Sequence, residues 1–201
     1  MELVDKLVIY CVINNIEPII VVSKSDIIEK DFINEIRAEY YFLPVFAISS
    51  KKNIGIKDVC DYISGSITAV CGQSAVGKST LINTIIPNLD LQTQDVSKKI
   101  SRGKQTTRSN CLYYYKDIII ADTPGFSRLD LNIECRDLSL FYPEFDKYLG
   151  KCKYLDCAHI KEGDDCAIVQ AVRKGDINKN RYNRYISLYG KLKVLGEKKY
   201  D

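Results

Sequence analysis

Gly72-Gln-Ser-Ala-Val-Gly77-Lys78-Ser79 is the stretch whose residue types and spacing most directly prescribe chemistry. It fits G-x-x-x-x-G-K-[ST]. Glycines let a backbone wrap around a phosphate, the loop N–H groups point inward, and a helix N-terminus stands behind them. Lys78 brings a point charge to the outer phosphates, and the Ser79 hydroxyl is a hard oxygen ligand suited to Mg²⁺. The nucleotide contacts predicted here are Gly72, Gln73, Ser74, Ala75, Val76, Gly77, Lys78, Ser79 and Thr80. A second piece, Asp122-Thr-Pro-Gly125, ends an apolar run. There the Asp122 carboxylate can hold the metal through water and the Gly125 N–H can reach a terminal phosphate, although Asp-Thr-Pro-Gly alone is also good turn chemistry. Between the two lies Arg102-Gly-Lys-Gln-Thr-Thr107, a basic loop. The hydroxyl of Thr106 or Thr107 completes the Mg²⁺ shell once a terminal phosphate is present, and spacing does not separate the two.

Selecting a base needs other groups. Ser23-Lys24-Ser-Asp26 and Ser49-Ser50-Lys51 each follow an apolar run. The first resembles the Asn-Lys-x-Asp element of GTPases, with Ser23 where asparagine is usual. The Asp26 carboxylate accepts two hydrogen bonds from a guanine edge, N1–H and the exocyclic amine, and adenine cannot match that pattern. The Lys24 stem lies over the purine. By itself the pattern reads as a helix cap just as well. Ser49, Ser50 and Lys51 resemble the Ser-Ala-Lys element, whose backbone N–H contacts guanine O6. The phosphate loop alone does not choose a base, so an ATP-hydrolysing reading stays open, and equal affinity for ADP and GDP would favour it.

Of the eight cysteines, three crowd around the only histidine in Cys152-x₄-Cys157-x-His159-x₆-Cys166. Three thiolates and one imidazole suit a closed tetrahedral zinc site, and four protein ligands leave no open position for catalysis. The metal is therefore structural. Cys11, Cys60, Cys71 and Cys111 sit in or near apolar stretches, as buried free thiols do. A disulfide framework does not fit a chain with no export signal, and Met1-Glu-Leu-Val-Asp5 has no basic n-region. The cytoplasm is the expected compartment.

These groups need a scaffold. Helical periodicity is predicted over 4–14, 26–40, 56–63 and 78–86, and buried strands over 18–22, 43–48 and 67–71. A tight turn joins strands at 111–115 and 117–121, while 88–108 is polar and reads as a loop. Alternating strands and helices argue a parallel, doubly wound α/β sheet. Its carboxyl edge is where ligands bind. From about residue 132 the strand signal stops. The expected division is a nucleotide domain over 1–132 and a small, mostly helical zinc-binding domain over 133–201. The 201 residues leave room for one sizeable domain and an appendage. Charged residues make up 27% and hydrophobic ones 46%, which excludes a disordered chain, and a net charge of +3 is too mild to imply nucleic acid by itself. No apolar run reaches the ~20 residues of a membrane helix. The chain is expected to be monomeric.

The pieces run base, base, phosphate loop, threonine loop, Asp-Thr-Pro-Gly, whereas ordinary GTPases place the phosphate loop first. This is a circular permutation, feasible because domain termini usually lie close together. With Ile16-Glu-Pro18, Gly72–Asn83, Gly103–Arg108, Asp122–Phe126, Pro143-Glu-Phe145, the Cys/His cluster with Cys166-Ala-Ile, and Arg181-Tyr182, the chain resembles the ribosome small subunit-dependent GTPase family (RsgA/YjeQ) over nearly its whole length. The resemblance implies a circularly permuted P-loop GTPase that binds GTP or GDP with Mg²⁺. It also implies a role late in maturation of the small ribosomal subunit, with stimulation by that subunit and contact with its rRNA. Members usually carry an N-terminal OB-fold domain, and this chain, starting just before the base-binding strand, is expected to lack it. Gln105 stands where the family usually has a histidine proposed to help hydrolysis; a glutamine still orients water but does not titrate near neutral pH.

Lys78, Ser79, Gln105, Thr106 and Thr107 are the residues expected to carry hydrolysis, by positioning and electrostatics. Phe126 occupies the place after the D-x-x-G glycine where Ras-like enzymes put a water-orienting glutamine, which predicts slow intrinsic turnover. A rival reading is a nucleotide-dependent RNA-binding or assembly module with negligible catalysis. The tail carries Arg173, Lys174, Lys179, Arg181, Arg184, Lys191, Lys193, Lys198 and Lys199, with Tyr182, Tyr185 and Tyr189 interleaved. That pattern suits RNA contact and equally suits a helix packing its tyrosines on a core.

Overall fold

In the computed structural model, described over residues 1–86, 89, 111–122, 129–160, 163 and 165–197, the β-branched runs become strands and the amphipathic stretches between them helices. The order is α1 (Glu2–Ile13), β1 (Ile20–Val22), α2 (Lys30–Glu39), β2 (Val45–Ala47), α3 (Ile56–Ile63), β3 (Ile67–Val70) and α4 (Lys78–Ile85). Then come β4 (Cys111–Tyr115), β5 (Ile118–Asp122), 3₁₀ turns at Cys135–Phe141 and Pro143–Phe145, α5 (Ala167–Lys174) and α6 (Lys179–Glu197). The helix expected from residue 26 starts at Lys30, because Ser25 and Ile27 are held in a turn by backbone bonds to Ile48 and Lys24.

β1 and β2 pair in parallel, with Ile20 opposite Val45 and Val22 opposite Ala47. The second sheet has the order β3-β5-β4, with β3 parallel and β4 antiparallel to β5. Among the described residues the expected parallel sheet is thus present as two sheets. β4 runs against β5 because Lys116 and Asp117 make a two-residue turn, with Lys116 at φ +53°.

The chain divides into two compact units. One comprises Ile19–Ile33 and Val45–Arg128. Its core is Ile48, Val59 and Ile63 packed with Leu81, Ile82 and Ile85 of α4 and with Ile118 and Ile120 of β5. The other comprises Met1–Pro18, Asn34–Pro44 and Leu129–Asp201. Here the units depart from a simple division at 132/133: α1 and residues 34–44 belong with the C-terminal segment. The reason is physical. Ile9 of α1 shares a core with Leu138, Tyr142, Phe145, Ile168 and Tyr185, and Asp5, Glu39 and Tyr40 supply polar partners to α6.

Those partners decide the reading of the tail. Arg181 is fully buried and donates to Asp5 at 2.6 Å and Glu144 at 2.5 Å, while the rings of Tyr40, Phe42 and Tyr142 surround its guanidinium at 4.8 to 4.9 Å. Burial works against the charge of Arg181, but the two carboxylates outweigh it and hold the guanidinium above its ordinary pKa. Arg184 pairs with Asp5 and Glu39, and Lys191 with Glu2 at 2.7 Å. Tyr182 and Tyr185 are buried. The interleaved tyrosines and arginines of α6 are therefore core and ion-pair residues, and the RNA-contact reading of these positions is corrected. Arg173, Lys174, Lys179 and Lys193 remain exposed.

Among the described residues no helix is long and apolar enough to cross a membrane.

Candidate functional site

The phosphate loop sits where sequence spacing put it, between β3 and α4. Gly77 caps α4 at φ +99°, a backbone state open to glycine, and Ala75 also takes a positive φ of +63°. Gly72 to Thr80 are brought together on this one turn. The Lys78 ammonium curls back over the loop and donates to the carbonyls of Gly72 at 2.9 Å and Gln73 at 2.8 Å. Its charge is thus held in the hollow of the loop, against weak partners that a polyphosphate outcompetes. Asp122 ends β5 in register with Val70 at the end of β3, so its carboxylate lies at the sheet end that carries the loop. Ser79 opens the first turn of α4 and is half-buried. Gln105, Thr106, Thr107, Gly125 and Phe126 lie outside the described residues.

The base elements converge on the same edge. β1 leads into Ser23–Asp26 and β2 into Ser49–Lys51. The two loops are tied by Ser25 N–H donating to the Ile48 carbonyl and Ile48 N–H to the Val22 carbonyl, both at 2.9 Å. Ser49 is buried, and its hydroxyl hydrogen-bonds Asp26. That bond, with Lys52 and Lys51 nearby, holds the Asp26 carboxyl below its ordinary range. The Ser49 hydroxyl also accepts from the Lys52 N–H at 3.1 Å. Lys24, at φ +58°, and Lys51 are exposed. Ser50 is half-buried. Gly55, at φ +68°, is a residue the sequence reading passed over. A Cβ there would stand 2.4 Å from the Ala47 carbonyl oxygen, so only glycine lets α3 start so close to β2.

Ser23 does something the sequence did not specify. Its hydroxyl donates to the Val76 carbonyl at 2.8 Å, across 53 residues, and its Oγ lies 3.8 Å from where a Gly77 Cβ would be. It is a strut between the base loop and the phosphate loop.

In the other unit, the sulfurs of Cys152, Cys157 and Cys166 and a ring nitrogen of His159 lie within 4.8 Å of one another. Cys152 and Cys166 sulfurs are 3.8 Å apart, with His159 Nδ1 at 3.4 and 3.5 Å from them. Zn–S bonds of about 2.3 Å put tetrahedral sulfurs about 3.8 Å apart, so the donor set fits zinc. The Ala167 N–H donates to Cys152 Sγ at 3.4 Å, and α6 braces the loop through Tyr182 to the His159 carbonyl and Tyr185 to the Ala158 carbonyl, both 2.8 Å. Burial keeps His159 below its ordinary pKa, in the neutral form that ligates, and pushes the Cys166 thiol up to about 12. Only a bound cation makes that thiol a thiolate. Of the other cysteines, Cys11 and Cys60 are half-buried and Cys71 is exposed, so the buried-thiol expectation fails for Cys71. The side chain of Cys111 lies outside the described residues. Cys71 directly follows β3 and leads into the phosphate loop.

Fold and site together define a P-loop nucleotide-binding protein whose base-reading loops precede its phosphate loop in the chain, joined to a Cys₃His cluster. A family model described as RsgA GTPase matches residues 1–132. The chain belongs to the RsgA GTPase family. It is 40% identical over 201 residues to a small ribosomal subunit biogenesis GTPase RsgA of Clostridium acetobutylicum, covering 96% of this chain and 68% of that one. With the protein of the same description from Phytoplasma australiense it is 38% identical over 189 residues, covering 91% and 61%. Among solved structures, YjeQ from Thermotoga maritima matches with TM-score 0.80 at 30% identity, covering 95% of this chain and 65% of that one. YloQ, described as a circularly permuted GTPase, matches with TM-score 0.76 at 31% identity, covering 96% and 63%. The chain spans about two thirds of the length of these relatives.

Proposed function

We propose that this chain hydrolyses GTP to GDP and phosphate, and that it does so in late maturation of the small ribosomal subunit, which stimulates it. The observation that carries the nucleotide reading is the Ser23–Val76 hydrogen bond at 2.8 Å. It holds the loop bearing Asp26 beside the loop bearing Lys78, so one nucleotide spans both. Asp26, ionised and held by Ser49, reads the guanine edge, and Lys24 covers the base. Backbone N–H groups of Gly72–Thr80 wrap the phosphates. Lys78 exchanges its two carbonyl partners for phosphate oxygens and stabilises the charge that develops on the outer phosphate. Ser79, Asp122 and Thr106 or Thr107 would hold Mg²⁺, which neutralises phosphate charge when bound. Gln105 orients the attacking water. Cys152, Cys157, His159 and Cys166 hold one structural zinc. The working partner is the small subunit with its rRNA, met by a monomer in the cytoplasm, and residues 1–132 and 133–201 are the nucleotide and zinc parts in sequence terms.

Single-turnover hydrolysis of GTP, with and without purified small subunits, tests the reading. Slow hydrolysis alone and a large acceleration with subunits is the expected result. Tight GTP binding with no acceleration would favour a nucleotide-dependent assembly module without catalysis. Equal affinity for ADP and GDP would remove the role given to Asp26.

A further inference from the structure

The Cys/His cluster is fastened in two halves. Cys152 and Cys166 form one. The Lys153 N–H donates to the Asp165 carbonyl at 2.9 Å, and the Lys153 ammonium pairs with the Asp165 carboxylate at 3.2 Å. The Ala167 N–H donates to Cys152 Sγ at 3.4 Å. Each of these bonds joins Cys152 or its neighbour to a neighbour of Cys166. The chain's own bonds thus hold the two sulfurs together, 3.8 Å apart. The other half, Cys157 to His159, is fastened to α6, where Tyr185 and Tyr182 donate to the carbonyls of Ala158 and His159, both at 2.8 Å. A structural zinc needs four donors and does not ask that two of its thiols be tied to each other.

Two sulfurs so placed have less than about 2 Å to close before they reach disulfide length. We propose that Cys152 and Cys166 are a peroxide-oxidisable pair whose disulfide replaces metal binding. Zinc keeps its thiol ligands ionised, and the thiolate is the form that attacks a peroxide. Cys152 is half-buried and meets the oxidant, whereas Cys166 is 4% exposed. The Cys152 sulfur bonds to one oxygen of hydrogen peroxide, the O–O bond breaks, and the departing hydroxide takes a proton and leaves as water. Cys152 is then a sulfenic acid, oxidised by two electrons, and the peroxide is reduced. The Cys166 sulfur attacks it, the S–O bond breaks, and a second hydroxide is protonated and leaves as water. In sum, two thiolates, one hydrogen peroxide and two protons give one disulfide and two waters. Cys157 and His159 remain, two donors where a closed site has four, and no longer hold the metal. In a reducing compartment the bond is transient, and a dithiol restores the pair. This rests on the zinc reading above and adds a reactivity to it.

The full chain, purified reduced and assayed for zinc, is treated with hydrogen peroxide, alkylated with iodoacetamide, digested and mapped by mass spectrometry. Released zinc is read with a colorimetric chelator. One zinc ion released per chain and a Cys152–Cys166 linked peptide are expected. Alkylation of those two cysteines is expected to fall at least about tenfold while Cys157 is still alkylated. In C166S, a dimedone-reactive sulfenic acid is expected at Cys152. A principal link through Cys157 or Cys71 overturns the proposal. So does sulfinic acid at Cys152 without a link, or zinc release with Cys152, Cys157 and Cys166 all still alkylated. A reduced chain that holds no zinc at the start overturns the zinc reading instead, and the mapped link then still decides whether Cys152 and Cys166 are the oxidisable pair.

Discussion

At the scale of single residues, the site is built from short polar side chains that set one another. Ser49 holds the Asp26 carboxyl below its ordinary range, and Ser23 ties the loop that bears Asp26 to the phosphate loop. Because the folded-state pKa of Asp26 lies below its ordinary value, the ionised carboxylate is complete above that ordinary value and is lost only as pH falls through the depressed one. GDP affinity, as far as Asp26 governs it, is therefore expected to be flat from pH 7 down to about pH 5. Fluorescent-GDP titration across that range checks this, and a loss of affinity already near pH 6 would contradict it. In D26A, GDP binding is expected to weaken by about 1.5–3 kcal/mol while ADP binding changes little. Gly55 makes a second prediction. Alanine there combines a positive φ with a contact of 2.4 Å to a carbonyl oxygen. G55A is expected to cost about 2 kcal/mol or more, seen as a lower urea midpoint. An unchanged midpoint would mean that the start of α3 shifts freely.

At the scale of elements, α6 shows how a pattern of residue types admits two readings until its partners are known. Interleaved tyrosine and arginine at helical spacing describes an RNA-binding face and a buried seam equally. What separates them is Asp5, Glu39 and Glu144, which come from three distant places in the sequence and meet Arg181 and Arg184. Removing one side of such a buried pair leaves the other charge stranded. R181M is therefore expected to destabilise the chain by about 3–5 kcal/mol. If Arg181 served RNA instead, the urea midpoint would stay put and only RNA affinity would fall. The same contrast explains what was legible. Gly72–Ser79 and Cys152–Cys166 were readable because local backbone geometry and metal chemistry fix spacing along the chain. Helix α3 was found at its observed bounds, Ile56–Ile63, because its apolar face recurs cleanly. The strut at Ser23 and the carboxylate partners of Arg181 and Arg184 lie 37 to 179 positions away, and the need for Gly55 comes from a carbonyl across a turn, so no local pattern encodes them.

At the scale of the whole molecule, the two units rest on different kinds of support. The core around Ile82 and Ile120 is aliphatic and holds the nucleotide loops through backbone ladders and one α4 face. The other unit centres on aromatic rings, with Tyr142, Phe145 and Tyr185 packed at centroid distances of 5.0 to 5.1 Å, and it is fastened to the Cys/His loop by two tyrosine hydroxyls. If zinc holds that loop, its removal must be felt by those rings. With a strong chelator, or in C157S, one zinc ion per chain is expected to be lost, and the near-UV signal of the packed tyrosines to weaken. Apparent zinc-binding energies in small zinc domains are about 10–16 kcal/mol. Losing as little as about 3 kcal/mol of folding stability would lower Tm by about 6–12 °C in a chain of this size. Metal analysis, near-UV circular dichroism and a melting curve measured on the same sample read all three effects. GDP affinity supplies the contrast, because the groups proposed to bind it draw on the aliphatic core and its strand ends. A chelated chain with unchanged tyrosine signal and unchanged Tm would mean that the aromatic core holds the loop unaided and that the four ligands contribute no stability.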